Sequence, residues 1–391
     1  MTNNLKIGVI NIYNFPKGMA PTTRIIAYCK GLVSCGVDVD IISIKPKTRS
    51  YTSDTLHGTC DGGKYHHFKY APKCSIPIIR SILWRLYNAY CLYKALHFIK
   101  KENSLKQYDC FILSFDTPPL LHTIVHYLRK HTHATILAIA DEYPRPIRDF
   151  MKDSVPKYIL KMYRKIYKSI DGRILMTHKL QNFYDTNVCP KPTLILSTIV
   201  DTDRFTSIIP KSSEREYLCY MGNMSLKKDN VDNIINAFYL IKDTYPLLDL
   251  YLYGTPNPSD RNFIQNIINE LNIQDRVVIK GRVDYNDVPK VLVNAKILVT
   301  SQPNTKRAEG GFPTKMGEYF MTGVPSILTD VGEIKDYVKD KENGYIVPPC
   351  DPQAYAATIE YVMGHYDEAL IVASKAKQYI INNFGYKIAG E

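Results

Sequence analysis

The sequence predicts an α/β protein of two Rossmann-like domains, each a doubly wound parallel sheet, facing one another across a central cleft. Three observations carry the prediction. At 391 residues the chain is too long for one ordinary core. Short, nearly continuous apolar runs recur along it, the pattern of strands buried on both faces. Segments of helical periodicity lie between those runs, and the resulting βαβα alternation belongs to parallel sheets. We place the domains at 1–200 and 201–375, with 376–391 as a closing helix that returns to the first.

Composition narrows the class. Apolar residues make up 45% and charged residues 23%, the balance of a packed globular protein. Nine cysteines are scattered without a CxxC pair or a zinc-spaced Cys/His cluster, which fits a reduced, cytoplasmic setting and implies no metal. Leu5–Ile10 already reads as a core strand, so we expect no signal peptide, and no apolar run approaches the ~20 residues of a membrane span. The net charge of +12 points to a polyanionic partner: nucleic acid, an acidic membrane face or phosphorylated small molecules.

Leu5 to Ile12 is the first strand, and the loop Asn14–Arg24 leads from it into a helix with Thr22 or Thr23 as cap. Gly36 ends that helix and Val37 to Ile44 is the second strand. The loop sits where open α/β sheets bind ligands, but it lacks GxGxxG, so a nicotinamide cofactor is not indicated. Gly18 suits close approach of a substrate and Arg24 suits a phosphate or acceptor hydroxyl; a turn glycine and a surface arginine are the plain alternative.

Lys45 to Lys73 reads as polar and mobile. Ile76 to Lys101 is strongly helical, with Ile79, Leu83, Leu86, Tyr90 and Tyr93 on one apolar face. Arg80, Arg85, Lys94, Lys100 and Lys101 carry its charge, no acid precedes Glu102, and Trp84 is the only tryptophan. A second basic helix spans 157–168 with Lys161, Arg164 and Lys165. Such helices suit an anionic membrane, the alternative being helices packed on the sheet with solvated lysines. Nucleic acid is not expected, because no recognised binding fold accompanies the charge.

Further strands are Cys110–Ser114, Thr135–Ala140, Gly172–Met176 and Leu194–Leu196. The fourth strand ends in Asp141-Glu142 and the next in Thr177-His178. A carboxylate there can act as base or electrostatic stabiliser, and His178 can orient an acceptor hydroxyl. A loop cap, a partner for Arg145 or Arg148, and a helix-start histidine are the corresponding plain readings.

Ser197–Phe205 and Lys211–Glu216 form the interdomain connection. Tyr217–Met221 opens a new sheet, followed by Gly222-Asn223-Met224-Ser225-Leu226-Lys227-Lys228-Asp229 and a helix from Asn230 to Tyr245. A lysine at a strand's carboxyl edge is a natural phosphate point charge. Asp249–Gly254, Val277–Val283 and Ile297–Thr300 continue the alternation. The second half is organised around Glu309-Gly310-Gly311-Phe312-Pro313-Thr314-Lys315-Met316-Gly317-Glu318, a glycine-rich loop opening a helix that Gly323 stops. Such a loop lets a ligand reach the backbone, and the helix end favours an anion. With Lys315 in the first turn and Glu318 one turn in, a phosphate and a diol are both provided for, which together describe a nucleotide-sugar.

In the order and spacing of these motifs the second half resembles the donor-binding domain of GT-B glycosyltransferases, most closely the retaining family 4. The residues that carry it are Val200–Phe205, Tyr220–Asn223 with Lys227-Lys228, Tyr253-Gly254, Lys280–Val283, Gly311–Lys315 with Glu318-Tyr319, Asp330–Glu333 and Asn343–Val347. The resemblance implies that Glu318 binds the donor ribose and that backbone N–H groups at Pro313–Lys315 hold the diphosphate. It implies further that Lys227 or Lys228 neutralises the leaving phosphate and that Arg282-Val283 receive the base, with Gly222, Asn223, Gly254 and Gly310–Phe312 lining the donor. The family has seven residues between its two glutamates, whereas eight separate Glu309 from Glu318, so Gly310 stands at the first glutamate's place. Asn223 or Met224 stands near the family's usual arginine, and Asp141-Glu142 stands where an active-site histidine is frequent.

The expected activity is metal-independent, retaining transfer from a nucleoside-diphosphate-sugar co-substrate, with no other cofactor, to a glycan or lipid-linked acceptor. Asp141, Glu142, Lys228 and Glu309 are the expected catalytic residues and Arg24 and His178 the acceptor contacts. Surface polysaccharide assembly at the inner membrane face fits the basic helices. A nucleotide-sugar epimerase of the same fold and a non-catalytic glycan- or nucleic-acid-binding protein are the rival readings.

Overall fold

Nearly continuous apolar runs along parallel strands determine the architecture of this computed structural model, which describes residues 4–49, 55–150, 152–206, 208–210 and 215–391. The chain divides into two units, Met1–Ile199 with Tyr386–Glu391, and Val200–Gly385.

The strands of the first unit are β1 (Lys6–Asn11), β2 (Asp38–Ser43), β3 (His57–Cys60), β4 (Gly63–His66), β5 (Cys110–Ser114), β6 (Thr135–Ala140), β7 (Gly172–Leu175) and β8 (Thr193–Ile195). They form one sheet in the order β3-β4-β2-β1-β5-β6-β7-β8, parallel throughout except for the β3–β4 pair. Successive side chains point to opposite faces. Ile10, Ile42, Phe111, Leu113 and Ile136 therefore enter one core, while Ile7, Val9, Val39, Ile41 and Ile112 enter another. Both faces are apolar, so helices must cover both, and the sheet is doubly wound.

Two expectations need correction here. The polar stretch Lys45–Lys73 contains the β3–β4 hairpin, turned at Asp61-Gly62, and β4 pairs with β2 in the register Asp40↔Lys64 (residues 50–54 of the stretch lie outside the described residues). The first helix is Ala20–Ser34, capped by no side chain. Thr22 lies inside its first turn and donates its hydroxyl to Asn14 O at 3.0 Å. The long helix is Pro77–Leu105; its buried residues are Cys91, Ala95 and Ile99, and Leu92 and Phe98 pack partly buried against the same core. Of the stripe that the alternative reading packs on the sheet, Ile79, Leu86, Tyr90 and Tyr93 are exposed and Leu83 is half-buried. In the second basic helix, Lys157–Tyr167, the apolar residues Tyr163, Ile166 and Tyr167 are buried and the cations point outward.

The second unit has β9 (Glu216–Met221), β10 (Leu248–Tyr253), β11 (Val277–Gly281), β12 (Ile297–Val299), β13 (Ser326–Thr329) and β14 (Tyr345–Val347), all parallel, in the order β11-β10-β9-β12-β13-β14. Its core joins Leu218, Leu250, Ile297 and Ile327 from the strands to Ile234, Phe238 and Ile359 from the helices. The expected connection at Lys211–Glu214 lies outside the described residues. The segment 376–391 divides: residues to Asn383 continue the helix Tyr366–Asn383, which packs on helix Lys315–Thr322 in the second unit. The last residues, Tyr386–Gly390, pack in the first unit against helix Ala20–Ser34, where the Tyr386 backbone leaves no room for a side chain on Gly31.

Candidate functional site

Strand order singles out one place in the second unit. Numbered within that sheet, the order is 3-2-1-4-5-6, and it reverses between β9 and β12. Open α/β sheets bind ligands in the crevice beyond the carboxyl ends of such a strand pair. Here the loop after β9 is Gly222–Ser225, followed by the short helix Leu226–Asp229, and the segment after β12 begins Thr300-Ser301.

The β9 loop is held by its neighbours. The Gly222 N–H donates to Tyr253 O at 2.9 Å, and the Gly254 N–H donates to Gly281 O at 2.7 Å. Gly254 has φ of +137°, and a Cβ there would collide with the carbonyl of Gly222. No other residue type tolerates both conditions. Met224 is buried in the left-handed region, with its N–H on the Tyr220 hydroxyl at 3.3 Å.

Helix Lys315–Thr322 is fastened across the ends of β9 and β12. The Tyr319 hydroxyl accepts the Met221 N–H at 2.9 Å and donates to Val299 O at 3.5 Å, one contact to each strand. The Lys315 ammonium donates to Asp229 Oδ1 at 2.5 Å and to the Tyr220 hydroxyl at 2.9 Å. Gly222 makes space for that ammonium, since a Cβ at this position would lie 2.5 Å from Lys315 Nζ. Burial pushes the Lys315 pKa down and Asp229 partly restores it. No side chain caps the helix start at Thr314. Of its first N–H groups, that of Met316 donates to Pro313 O at 2.9 Å.

Glu318, one turn in, meets Arg204: Nη1 to Oε1 is 2.5 Å. Arg204 also donates from Nη2 to Tyr285 O at 2.6 Å, and its guanidinium lies 3.6 Å from the Tyr285 ring centre. Glu309 sits in the helix Lys306–Gly310, capped by Thr305, with Oε2 on Lys306 Nζ at 2.8 Å. Gly310 and Gly311 are buried behind it, Phe312 stacks edgewise on Tyr337, and Pro313 and Thr314 are half-buried. Asn223 and Lys227 are exposed, Lys228 is half-buried, and Arg282 and Val283 follow β11, exposed and half-buried respectively. Beneath the crevice Asn233 donates to Ser301 Oγ at 3.3 Å, and Thr329 Oγ1 accepts the Gln302 N–H at 2.8 Å. These buried polar groups are unusual in a core and mark the floor of the site.

The first unit has its own reversal, between β1 and β5. Tyr13 follows β1, Asp116 follows β5, and Asp141 and Glu142 follow β6. Burial, then the Asp141 carboxylate, pushes the Tyr13 hydroxyl up to about 12. Burial likewise raises the Asp116 carboxyl, against the opposing pull of the Tyr163 hydroxyl bonded to it and the nearby Arg148. Arg148 Nε is 3.6 Å from Glu142 Oε2. Arg24 is buried, with Nε on the Tyr28 hydroxyl, Nη2 on Leu196 O, both at 2.8 Å, and Nη1 3.4 Å from Asp141 Oδ1. It ties three segments together and orients Asp141. His178 is exposed at the first position of helix His178–Asn187, beside the Thr177 cap. The space beside Gly18 is filled by the Thr22 hydroxyl.

The structure thus brings Gly222, Gly254, Lys315 and the glycine-rich loop to one strand-end crevice in the second unit, and Asp141 and Glu142 to another in the first. Sequence reasoning missed Asp229, Tyr319, Arg204, Tyr13 and Asp116. Each has a signal in hindsight: Asp229 directly follows the lysine pair, Arg204 and Tyr319 sit within the quoted motifs, and Tyr13 and Asp116 end apolar strands. Among the described residues no three His, Cys, Asp or Glu side chains converge as a metal cluster.

Residues 201–379 match the family model for glycosyl transferases group 1. Over 284 residues the chain is 22% identical to an exopolysaccharide phosphotransferase of Streptomyces coelicolor, which covers 71% of this chain and 27% of that protein. With protein HypA of Clostridium perfringens it shares 25% over 202 residues, 49% of this chain and 19% of that one. The chain therefore spans only about a quarter or less of the curated relatives it matches. Sucrose-phosphate synthase from Thermosynechococcus elongatus has a similar structure, with a TM-score of 0.76 at 16% identity over 99% of this chain and 96% of that one. Anabaena HepE in complex with UDP and glucose gives 0.69 at 13% identity over 99% and 97%. At such identities the likeness is one of fold, and the fold is the GT-B architecture of glycosyltransferases.

Proposed function

We propose that this chain, GT-B in fold and matched to glycosyl transferases group 1 across its second unit, transfers a sugar from a nucleoside-diphosphate donor to a glycan or lipid-linked hydroxyl in polysaccharide assembly. The observation that carries the reading is helix Lys315–Thr322, fastened across the ends of β9 and β12 with Glu318 one turn in. The donor diphosphate lies at that helix start, with Lys315 and Lys228 balancing the charge that builds on the leaving group. Glu318 takes the ribose hydroxyls, and Arg282-Val283 take the base. Positioning and charge stabilisation then supply the catalysis, with no metal needed. Glu309, anchored by Lys306, is the carboxylate offered to the sugar, with retention of anomeric configuration. Asp141 and Glu142 handle the acceptor hydroxyl, Arg24 keeping Asp141 in place. Two relatives support the donor and pathway classes: the Anabaena protein bound UDP and glucose, and the Streptomyces protein is named for exopolysaccharide chemistry.

The test is binding and slow hydrolysis across a panel of nucleotide-sugars, with Lys228→Ala and Glu318→Ala alongside. Release of one nucleoside diphosphate, lost in both variants, is the expected result. Interconversion of sugar epimers without release would make the protein an epimerase. Absence of binding to every donor would leave a glycan- or nucleic-acid-binding protein on a transferase fold.

A further inference from the structure

We propose that the outer face of helix Pro77–Leu105 is a docking surface for an anionic lipid bilayer. Cys91, Ala95 and Ile99 bury the inner face of this helix. At about 100° per residue, Ile78, Ile79, Ile82, Leu86, Tyr90 and Tyr93 fall in one stripe on the opposite side. All six are exposed, Ile78 to 74%, Leu86 to 59% and Tyr93 to 65%. A contiguous row of large aliphatic side chains in water marks an interaction surface. Along the row the chemistry is graded, with isoleucines at the helix start and tyrosines two to four turns on. Aliphatic groups suit the acyl region, and the tyrosine, with its polar tip, suits the headgroup boundary.

Charge identifies the occupant. Arg80, Arg85 and Lys94 are exposed beside the stripe. From Gly62 to Lys101 the chain carries Lys64, Lys69, Lys73, Arg80, Arg85, Lys94, Lys100 and Lys101 and no acidic residue. A second copy of this surface would set like charges against each other, whereas anionic headgroups neutralise them while the stripe is buried. Among the described residues no helix is long and apolar enough to cross a membrane, so the helix lies on the surface of the bilayer. Helix Lys157–Tyr167 spends its apolar side on the core and leaves only Tyr158 outward among its large apolar residues. It contributes cations to the protein's field but no anchor.

The test uses the full chain in sedimentation with phosphatidylcholine vesicles and with vesicles one quarter phosphatidylglycerol. Expected is binding to the anionic vesicles and little binding to neutral ones. Neutralising Arg80→Gln, Arg85→Gln and Lys94→Gln together should weaken binding by about 100-fold, roughly fivefold per cation. Ile78→Ser, Ile82→Ser and Leu86→Ser together should abolish it, at roughly tenfold or more per residue. Melting temperature and nucleotide binding should be unchanged in both triple variants, which separates this surface from the donor site. Equal binding to neutral vesicles would overturn the proposal, as would retention in the apolar variant. So would a wild-type dimer that dissociates in the apolar variant without vesicle binding, which would make a second copy the occupant.

Discussion

Replacing Arg204 by methionine keeps the apolar stem of the side chain and removes the guanidinium that holds Glu318. Arg204 is nearly buried and Glu318 is about one-third exposed, so their ion pair at 2.5 Å is only partly screened. Two charge-assisted hydrogen bonds, to Glu318 and to Tyr285 O, are lost along with the face of the Tyr285 ring. A hydrogen bond to a charged group contributes about 1.5–3 kcal/mol, and a cation over a ring about 1 kcal/mol. Discounting for exposure and non-additivity, unfolding should become easier by about 2–4 kcal/mol. The functional consequence is larger and more specific. A carboxylate accepting from both ribose hydroxyls at ~1.5 kcal/mol each favours a ribonucleotide over its 2′,3′-dideoxy analogue by roughly 100-fold. With Arg204 gone, Glu318 is no longer held at one angle, and that preference should fall below about tenfold. Titration calorimetry of the two nucleotides against wild type and variant gives the ratio directly, with the diphosphate contribution cancelling. If both nucleotides weaken equally, Arg204 acts only on stability. If wild type itself shows no such preference, Glu318 is not the ribose acceptor.

The pair beneath the helix start offers a second test. Lys315→Met should destabilise the chain by about 3–5 kcal/mol in urea, because it strands the buried Asp229 carboxylate. Adding Asp229→Asn should recover most of that loss without restoring nucleoside-diphosphate binding; recovery of binding would show the lysine is only structural. Acid sensitivity should trace to His67, which is buried, accepts the Phe15 N–H at 3.0 Å, and is held by burial at about 3. The unfolded chain takes up a proton near 6.5, and the folded chain does not until about pH 3. Stability is therefore full above pH 6.5 and falls by up to about 1.4 kcal/mol per unit below it. Urea melts at pH 7, 6 and 5 should show that slope in wild type and a flatter one in His67→Gln; equal slopes would acquit His67.

Much of the architecture was written locally. Strands buried on both faces need only an unbroken apolar run, and β5 and β6 were legible to the residue from Cys110–Ser114 and Thr135–Ala140. The β3–β4 hairpin was not, because two strands of four residues, half polar, carry too little pattern to distinguish from a loop. In helix Pro77–Leu105 periodicity found the apolar stripe but not its destination. Amphipathicity says which residues share a face, and only the rest of the fold says whether that face meets the core or the solvent.

The same division runs through the candidate site. Glycines, lysines and carboxylates at strand ends and helix starts are positional signals, so Gly222, Gly254, Lys315 and Glu318 could be named from the chain alone. Their partners could not. Glu318 meets Arg204 across 114 residues, Lys315 meets Asp229 across 86, and Tyr319 meets Met221 across 98. By itself the sequence determined the strands of unbroken apolar pattern, the loops that end them, and the polar groups those loops carry, since these depend on neighbours within a turn or two. Only the tertiary structure decided that Lys315 is already paired, that Glu318 is held by an arginine from the start of its unit, and that an isoleucine-rich helix face is left in water. Such outcomes depend on which distant segments share one sheet edge, and local periodicity does not encode that.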